Sequence, residues 1–464
     1  MAAILCAAAL ALPLSGFRTV IVGGGPSGLL LAHRLLDAGE PVSLIEGRPD
    51  PRTEEYAKEG RAYALGLGLR GRTAIRTVDE PLWAAVRDAG FESDRFTLRI
   101  GSKLKIDLRT PDDSNSEPSV LIYQSELCAA LLAELERRHG VGGRLSTTFE
   151  ARVTECDAVR GSVAVDAAGG AMSLSADCIA GCDGVNSIVR AGMERAASAF
   201  SAELQPLPGN LKVVRLDAVP PPLAPDAVSV VPGSPVSAFI EPTKGGACAL
   251  ISWRDGGSGV DPAEVSDPDE AANLLASSLS LIGESFNTTE IGAQFVDQRP
   301  ARAATVKCNS YHAGKAVLLG DAAHSTGGAS GQGCNSALGD AAALATLLER
   351  EAEAAAGATE AAIASALRAY SSQRVPEGQA LLELSIGPSK PGPLRKALGA
   401  LSTAVGAVLN RFGLGEPPLQ TELTTSLTPF VELRKKREKL YGEPWPDPRE
   451  FEATIAEVER SVAA

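Results

Sequence analysis

The sequence predicts an α/β protein: a doubly wound parallel sheet with a β-meander, an inserted β-sheet domain and a helical C-terminal region. Three observations predict it. A short apolar strand runs into a glycine-rich turn and an apolar helix near residue 23. The same strand–turn–helix layout returns near residue 320. Between them, residues 196–299 change texture to short strand-like runs separated by Pro- and Gly-rich turns.

Each element follows in order. Residues 1–17 carry no charged side chain and remain open to three readings. A signal peptide would lack its basic leading region. A membrane span would be short and broken by Pro13. The third is a leader remnant or upstream extension running into the first strand. The compartment expected is therefore cytoplasmic or organellar. Phe17–Val22 reads as a buried strand, Gly28–Ala38 as a helix with an apolar face of leucines, and Pro41–Glu46 as the next strand. This β–α–β unit opens the sheet. Residues 50–80 are Arg-rich and include Gly60-Arg61 and Leu69-Arg70-Gly71-Arg72; residues 124–139 read as a helix starting at Gln124. Residues 150–180 alternate as a meander around Gly169-Gly170, then Cys178–Ala180 leads into Gly181-Cys182-Asp183-Gly184. In the inserted stretch, Leu211–Val219, Val228–Val231, Ser237–Glu241 and Ala247–Trp253 read as strands, with a hairpin turn at Thr243–Gly246. The chain rejoins the sheet at Ala316–Leu319. Residues 336–383 read as helix through the Ala-rich stretch Glu349–Ala369. Lys390-Pro391-Gly392-Pro393 ends it, and an amphipathic helix (Leu394–Phe412) and a charged tail follow. The expected organisation is 18–195 with 300–385 as one domain, 196–299 as a second, and 386–464 as a helical region.

Composition excludes several classes. The 464 residues carry a net charge of −13 and show no basic stripe, which argues against nucleic acid. The basic run Arg434–Arg437 is Glu-flanked and reads as a solvated helix face. Eight cysteines lie singly and four histidines do not cluster, so neither a disulfide framework nor a metal site is expected. A reduced compartment fits. Ala397–Asn410 is uncharged but too short for a membrane anchor.

The chemistry lies in three motifs. Gly23-Gly24-Gly25-Pro26-Ser27-Gly28 is G-x-G-x-x-G between strand and helix. Gly23 permits the tight turn, Gly25 admits a pyrophosphate, and Gly28 lets helix and strand pack closely. Glu46 ends the next strand, where a carboxylate accepts from both ribose hydroxyls and repels a 2′-phosphate. Arg48 lies over the adenine or near the phosphates, or is an ordinary surface arginine. Asp183, with Ser187 and Arg190 after it, anchors a helix turn near the pyrophosphate or is a plain Asp-Gly turn. At the third motif, Val317–Leu319 stops at Gly320-Asp321. The Asp321 carboxylate is placed to accept from ribityl hydroxyls. Gly331, Gly333, Cys334 and Asn335 bring backbone N–H groups to a helix start, where partial positive charge favours an anionic reduced ring. The ligand with both ends is FAD. His324 is a candidate general base or a structural residue of this turn.

Together these motifs resemble the class A flavoprotein aromatic hydroxylases over residues 18–385, with a Rossmann-type FAD-binding domain. Within that family the chain is most similar to the kynurenine 3-monooxygenase branch. The residues carrying that similarity are Gly60-Arg61, Leu69–Arg72, Ile179–Asp183, Thr305–His312, Val317–His324 and Gly331–Asn335. The resemblance implies that NAD(P)H reduces the FAD, O₂ adds at C4a, and the hydroperoxide hydroxylates a small organic, aromatic and kynurenine-like substrate. It implies Gln124 against the FAD phosphates or ribose, Leu67 and Val153 as backbone-type contacts, and Arg95 as the substrate-carboxylate anchor. Charge, cysteine spacing and the short apolar stretches leave no metal, nucleic-acid or clear membrane partner expected beside the substrate and O₂. The sequence departs from the family where a proline normally sits over the flavin's reactive edge: that position is Gly328. The tyrosine partner of the anchor aligns near Leu108, and the downstream Asn and Glu fall on Pro388 and Pro391. The alternative is a non-hydroxylating FAD oxidoreductase, a reductase or halogenase; Trp83, Trp253 and Trp445 are isolated and form no halogenase Trp-x-Trp. A flavin-free prenyl-protein escort module would not need Asp321 and the Gly331–Asn335 turn.

Overall fold

The computed structural model describes residues 17–58, 63–100, 104–110, 117–256, 260–328, 330–357, 359–387 and 419–462. Residues 1–16 of the uncharged N-terminal stretch, Gly60-Arg61, Pro388, Pro391 and Leu394–Phe412 lie outside the described residues.

The main sheet has the order His312–Ala313, Ala316–Leu318, Cys178–Gly181, Thr19–Val22, Val42–Ile45, Leu145–Thr148. Its pairs are parallel except at the His312–Ala313 edge. Every residue of Thr19–Val22, Cys178–Gly181 and Ala316–Leu318 is buried. That is why these strands read as continuous apolar runs: in a doubly covered parallel sheet both faces are core. Helix Pro26–Asp37 packs against helices Gln124–His139 and Gly333–Ala354. The meander is Arg152–Asp157, Ser162–Ala167 and Gly170–Ser175, all antiparallel.

The second sheet has the order Asn210–Leu216, Gly246–Trp253, Ser237–Thr243, Ala227–Val231, Arg95–Ile100, Leu104–Arg109. Its last two strands come from outside residues 196–299, and Arg95–Ile100 pairs in parallel with Ala227–Val231. The sheet is therefore not a self-contained insertion. Alternate residues (Val214, Leu216, Ala238, Ile240, Ala249, Ile251) pack on Leu275, Phe286 and Phe295 as a separate core. The stretch is also not all strand. Helix Pro268–Ser278 is capped by Asp267, which accepts from Asp269 N and Glu270 N, and helix Thr289–Val296 by Thr288.

Two helical expectations change in detail. The run 336–383 is two helices, Gly333–Ala354 and Glu360–Ile386, parted at Gly357, whose φ is +151°, and restarted by a Thr359 cap. The charged tail forms the helices Leu419–Thr425, Phe430–Lys436, Glu438–Tyr441 and Pro448–Ser461, and their Leu423, Phe430, Leu433, Ile455 and Val458 belong to the main core. The basic run there is split. Arg434 is buried, donates to Glu383 at 2.5 Å and lies 3.8 Å over the Tyr441 ring, while Lys435 and Lys436 face solvent. Among the described residues no helix is long and apolar enough to cross a membrane.

Candidate functional site

The strands Thr19–Val22, Val42–Ile45, Cys178–Gly181 and Ala316–Leu318 end side by side, and one cavity opens across their carboxyl ends. Its volume is about 780 Å³, and its walls include Gly23, Glu46, Asp183 and Asp321, one from each strand end. That crevice is where open α/β sheets bind ligands, and its size suits a whole organic ligand.

At one end Glu46 is buried. Its Oε2 accepts from Gly24 N at 2.7 Å; its Oε1 accepts from Arg48 N at 2.8 Å and Arg48 Nε at 3.0 Å. The Arg48 guanidinium lies 5.0 Å over the Tyr56 ring. Arg48 is thus fixed by the carboxylate that ends the strand, rather than free on the surface.

The glycines separate by role. Gly23 has φ +107°, and a Cβ there would fall 2.3 Å from the Cys182 carbonyl oxygen. A Cβ on Gly28 would fall 2.1 Å from the Gly23 carbonyl oxygen. Gly25 is different: its φ is −75°, and a Cβ would meet nothing within 4 Å. Gly25 borders the cavity, so the space its missing side chain leaves is ligand space. Helix Pro26–Asp37 starts there with no side-chain cap, leaving first-turn N–H groups and the positive dipole end for an anion.

Asp183 ties the middle of the cavity to a helix start. Its Oδ2 accepts from Ile188 N at 2.7 Å and Val189 N at 3.2 Å, while its Oδ1 is buried with no partner. Burial pushes its carboxyl up from the usual range. An orphaned buried oxygen beside the cavity is a feature a ligand hydroxyl or bridging water satisfies.

At the far end Gly320, with φ +59°, turns the chain into the short helix Asp321–His324. The open cavity leaves Asp321 accessible, while the protein packed around it pushes its carboxyl up. Gly333 and Cys334 line the same end, at the start of a helix that also lacks a side-chain cap.

Of the residues expected at the cofactor, Gly23, Gly25, Pro26, Ser27, Glu46, Arg48, Gln124, Val153, Asp183, Asp321, Gly333 and Cys334 line this cavity. Gly24, Gly28 and Gly320 act through backbone geometry behind it. Leu67 does not reach it: it is fully buried in the core, and Tyr63 and Leu65 form that wall. Gly331 uses its N–H on the Gly328 carbonyl at 3.2 Å. The Asn335 side chain is a latch. Its Oδ1 accepts from Gly68 N at 2.9 Å and Gly71 N at 3.2 Å, and its Nδ2 donates to Gly66 O at 2.9 Å.

The three residues expected to act on substrate fall elsewhere. Arg95 is half exposed and pairs with Asp226 at 2.9 Å, away from the cavity walls. His324 is buried, does not line the cavity and donates to Asp340 at 2.6 Å, which favours the structural of its two expected roles. Gly328 is an exposed turn residue with φ +81°. Sequence reasoning missed Tyr56, Tyr63, Arg152 and Thr154 as lining residues. Arg152 and Thr154 had a signal, since they flank Val153 at the strand edge.

The comparisons agree with this geometry. The model of a family described as FAD binding domain matches residues 17–385. A kynurenine 3-monooxygenase of Salinispora tropica is 27% identical over 375 residues, 79% of this chain and 78% of the relative. One from Salinispora arenicola is 28% identical over 378 residues, with the same coverage. Among solved structures, 2-methyl-3-hydroxypyridine-5-carboxylic acid oxygenase superposes with a TM-score of 0.63 at 20% identity, over 85% of this chain and 95% of that one. PqsL, a probable FAD-dependent monooxygenase from Pseudomonas aeruginosa, gives 0.59 at 20% identity, over 80% and 94%. Both ends of the cavity, Glu46 and Asp321, lie inside the matched stretch; the chain belongs to the FAD-binding-domain family, and its cofactor is FAD.

Proposed function

We propose that this protein is an FAD-dependent monooxygenase that uses NAD(P)H and O₂ to hydroxylate a small organic, aromatic and kynurenine-like substrate. The observation that carries the reading is the single cavity joining Glu46 to Asp321 across four strand ends. The relatives named kynurenine 3-monooxygenase support the reaction class.

Glu46 would hold the adenosine ribose. The uncapped start of Pro26–Asp37, with Gly25 giving access, would take the pyrophosphate. Asp321 would hold the ribityl chain, and the start of Gly333–Ala354 would face the ring with its positive dipole end. Bound FAD would supply electron transfer from NAD(P)H and delivery of one oxygen atom from O₂. The second sheet, whose strand Ser237–Thr243 packs on Ser119–Tyr123, is the wall against which substrate would lie. Arg95 is offered as the carboxylate anchor only if its pair with Asp226 opens.

One observation favours a second reading, a non-hydroxylating FAD oxidoreductase. Gly328 has φ +81°, a conformation proline cannot adopt. The loop therefore differs in shape from a proline-bearing one. The test is a screen of candidate substrates for stimulated NAD(P)H oxidation, with product mass read for a gain of one oxygen. Stimulated oxidation without that gain selects the second reading.

A further inference from the structure

Beneath the Asp321 end of the cavity, one fully buried carboxylate gathers three donors. Asp340 Oδ2 accepts from Gly320 N at 2.9 Å and from His324 Nε2 at 2.6 Å; Oδ1 accepts from Arg374 Nε at 2.7 Å. Gly320 and His324 are the two ends of the turn that presents Asp321. Arg374 reaches in from helix Glu360–Ile386 and also donates to Ser336 Oγ at 3.2 Å. The His324 ring stacks on Tyr311, centroids 5.5 Å apart.

We propose that Asp340 is a positioning residue: it clamps both ends of the Asp321 turn and so sets where the Asp321 carboxylate meets the flavin end of FAD. The clamp rests on the reading of this cavity as an FAD site. Gly320 adopts φ +59° and ψ −136°, a combination open essentially to glycine alone, so the turn needs outside support. Asp340 supplies it at the Gly320 N–H, which holds the Leu319–Gly320 peptide at the entry to the turn. His324 carries the second hold. Its Nδ1 has no hydrogen-bond partner, so the bond to Asp340 is the ring's one hydrogen bond.

The placement couples two contacts. Asp340 lies about two turns into the helix whose first residues, Gly333 and Cys334, line the cavity. One rigid helix therefore sets both the N–H groups facing the ring and the turn bearing Asp321. The Glu46 carboxylate, at the end of another strand, takes its hydrogen bonds from Gly24 and Arg48, independently of that helix.

That independence gives the test. FAD and ADP are titrated separately, by calorimetry, into the parent chain and Asp340→Asn, with thermal midpoints recorded. ADP reads Glu46 and the start of Pro26–Asp37, and leaves the Asp321 turn unread. The clamp predicts that FAD binds at least tenfold more weakly to the variant while ADP affinity stays within threefold. Equal FAD affinity overturns the clamp. A proportional loss of ADP and FAD also overturns it, because the residue is then merely structural. Should Asp340→Asn not fold, His324→Leu carries the test: FAD affinity falls at least threefold with ADP unchanged, and unchanged FAD affinity refutes the proposal. Arg374→Lys, which keeps a cation at Asp340, recovers FAD affinity to within threefold of the parent; loss equal to that of Asp340→Asn contradicts it. A parent chain that binds ADP but no FAD overturns the function proposed above, a result distinct from clamp failure.

Discussion

Replacing Gly25 by alanine separates ligand space from fold. The backbone there, φ −75° and ψ 179°, is open to any residue, and a Cβ would meet nothing within 4 Å. Alanine is worse than glycine at a helix N-cap, by about 0.5–1 kcal/mol. The lower entropy of the unfolded alanine chain returns about 0.4–1 kcal/mol. The two offset, so the stability of the FAD-free protein should change by less than about 0.5 kcal/mol. Binding should change far more. A phosphate oxygen accepting from first-turn N–H groups must come within about 2.9 Å of nitrogen, and a new methyl wants about 3.5 Å or more from any heavy atom. Losing one charge-assisted bond costs about 1.5–3 kcal/mol, or roughly tenfold to hundredfold in affinity. The assay is thermal unfolding without FAD alongside a fluorescence titration with FAD. Gly28→Ala is the contrast. Its Cβ would sit 2.1 Å from the Gly23 oxygen, so the fold itself should lose about 1–3 kcal/mol. Parent-like FAD affinity in Gly25→Ala, or a destabilised FAD-free protein, refutes the reasoning.

Four further outcomes follow from named contacts. Glu46→Gln should weaken ADP binding about tenfold to hundredfold, because a charged acceptor for the ribose hydroxyls becomes neutral; calorimetry with an unchanged constant would exclude Glu46 from the site. Burial alone pushes Glu241 up to about 7. Such a raised carboxyl destabilises the native state as pH rises from 4.5 through 7, so Glu241→Gln should gain up to about 3 kcal/mol over the parent at pH 8 and little at pH 4 in urea titrations. Burial pushes Asp340 up, but neighbouring His324 and Arg374 outweigh it and hold the carboxyl down to about 2. Its contribution, about 2 kcal/mol, is present above pH 3.8 and is lost as pH falls toward 2; acid unfolding of Asp340→Asn should lack that component. Gly328→Pro should cost about 1–3 kcal/mol because φ is +81° there, and an unchanged thermal midpoint would mean the loop adopts the proline conformation freely.

How far the sequence carried depends on the range of each interaction. Gly23–Gly28 and Glu46 were legible because strand, turn and helix are local and their spacing carries the geometry. Asp183 and Asp321 were legible for the same reason: each follows a run of buried strand residues. Asn335 was flagged for its backbone N–H at the helix start; the hold of its side chain on Gly66–Gly71, far away in sequence, left no local mark. Arg95–Ile100 joined the second sheet by parallel pairing with Ala227–Val231, which leaves no local mark. Helix Pro268–Ser278 had a readable start at Asp267-Pro268, yet the surrounding Pro- and Gly-rich turns outweighed it. His324 shows the limit most clearly. A histidine beside a glycine-rich ligand loop suggests chemistry, and only the buried Asp340 beneath it reveals a structural hold.

The central claim is that one FAD spans from Glu46 to Asp321. The most direct measurement is calorimetric titration of the purified chain with FAD, repeated in the presence of saturating ADP. With FAD spanning the cavity, the titration gives one FAD per chain, bound at micromolar concentration or tighter, with ADP competing for the Glu46 end and weakening the apparent affinity. No FAD binding at micromolar concentration, or FAD binding indifferent to ADP, would contradict it.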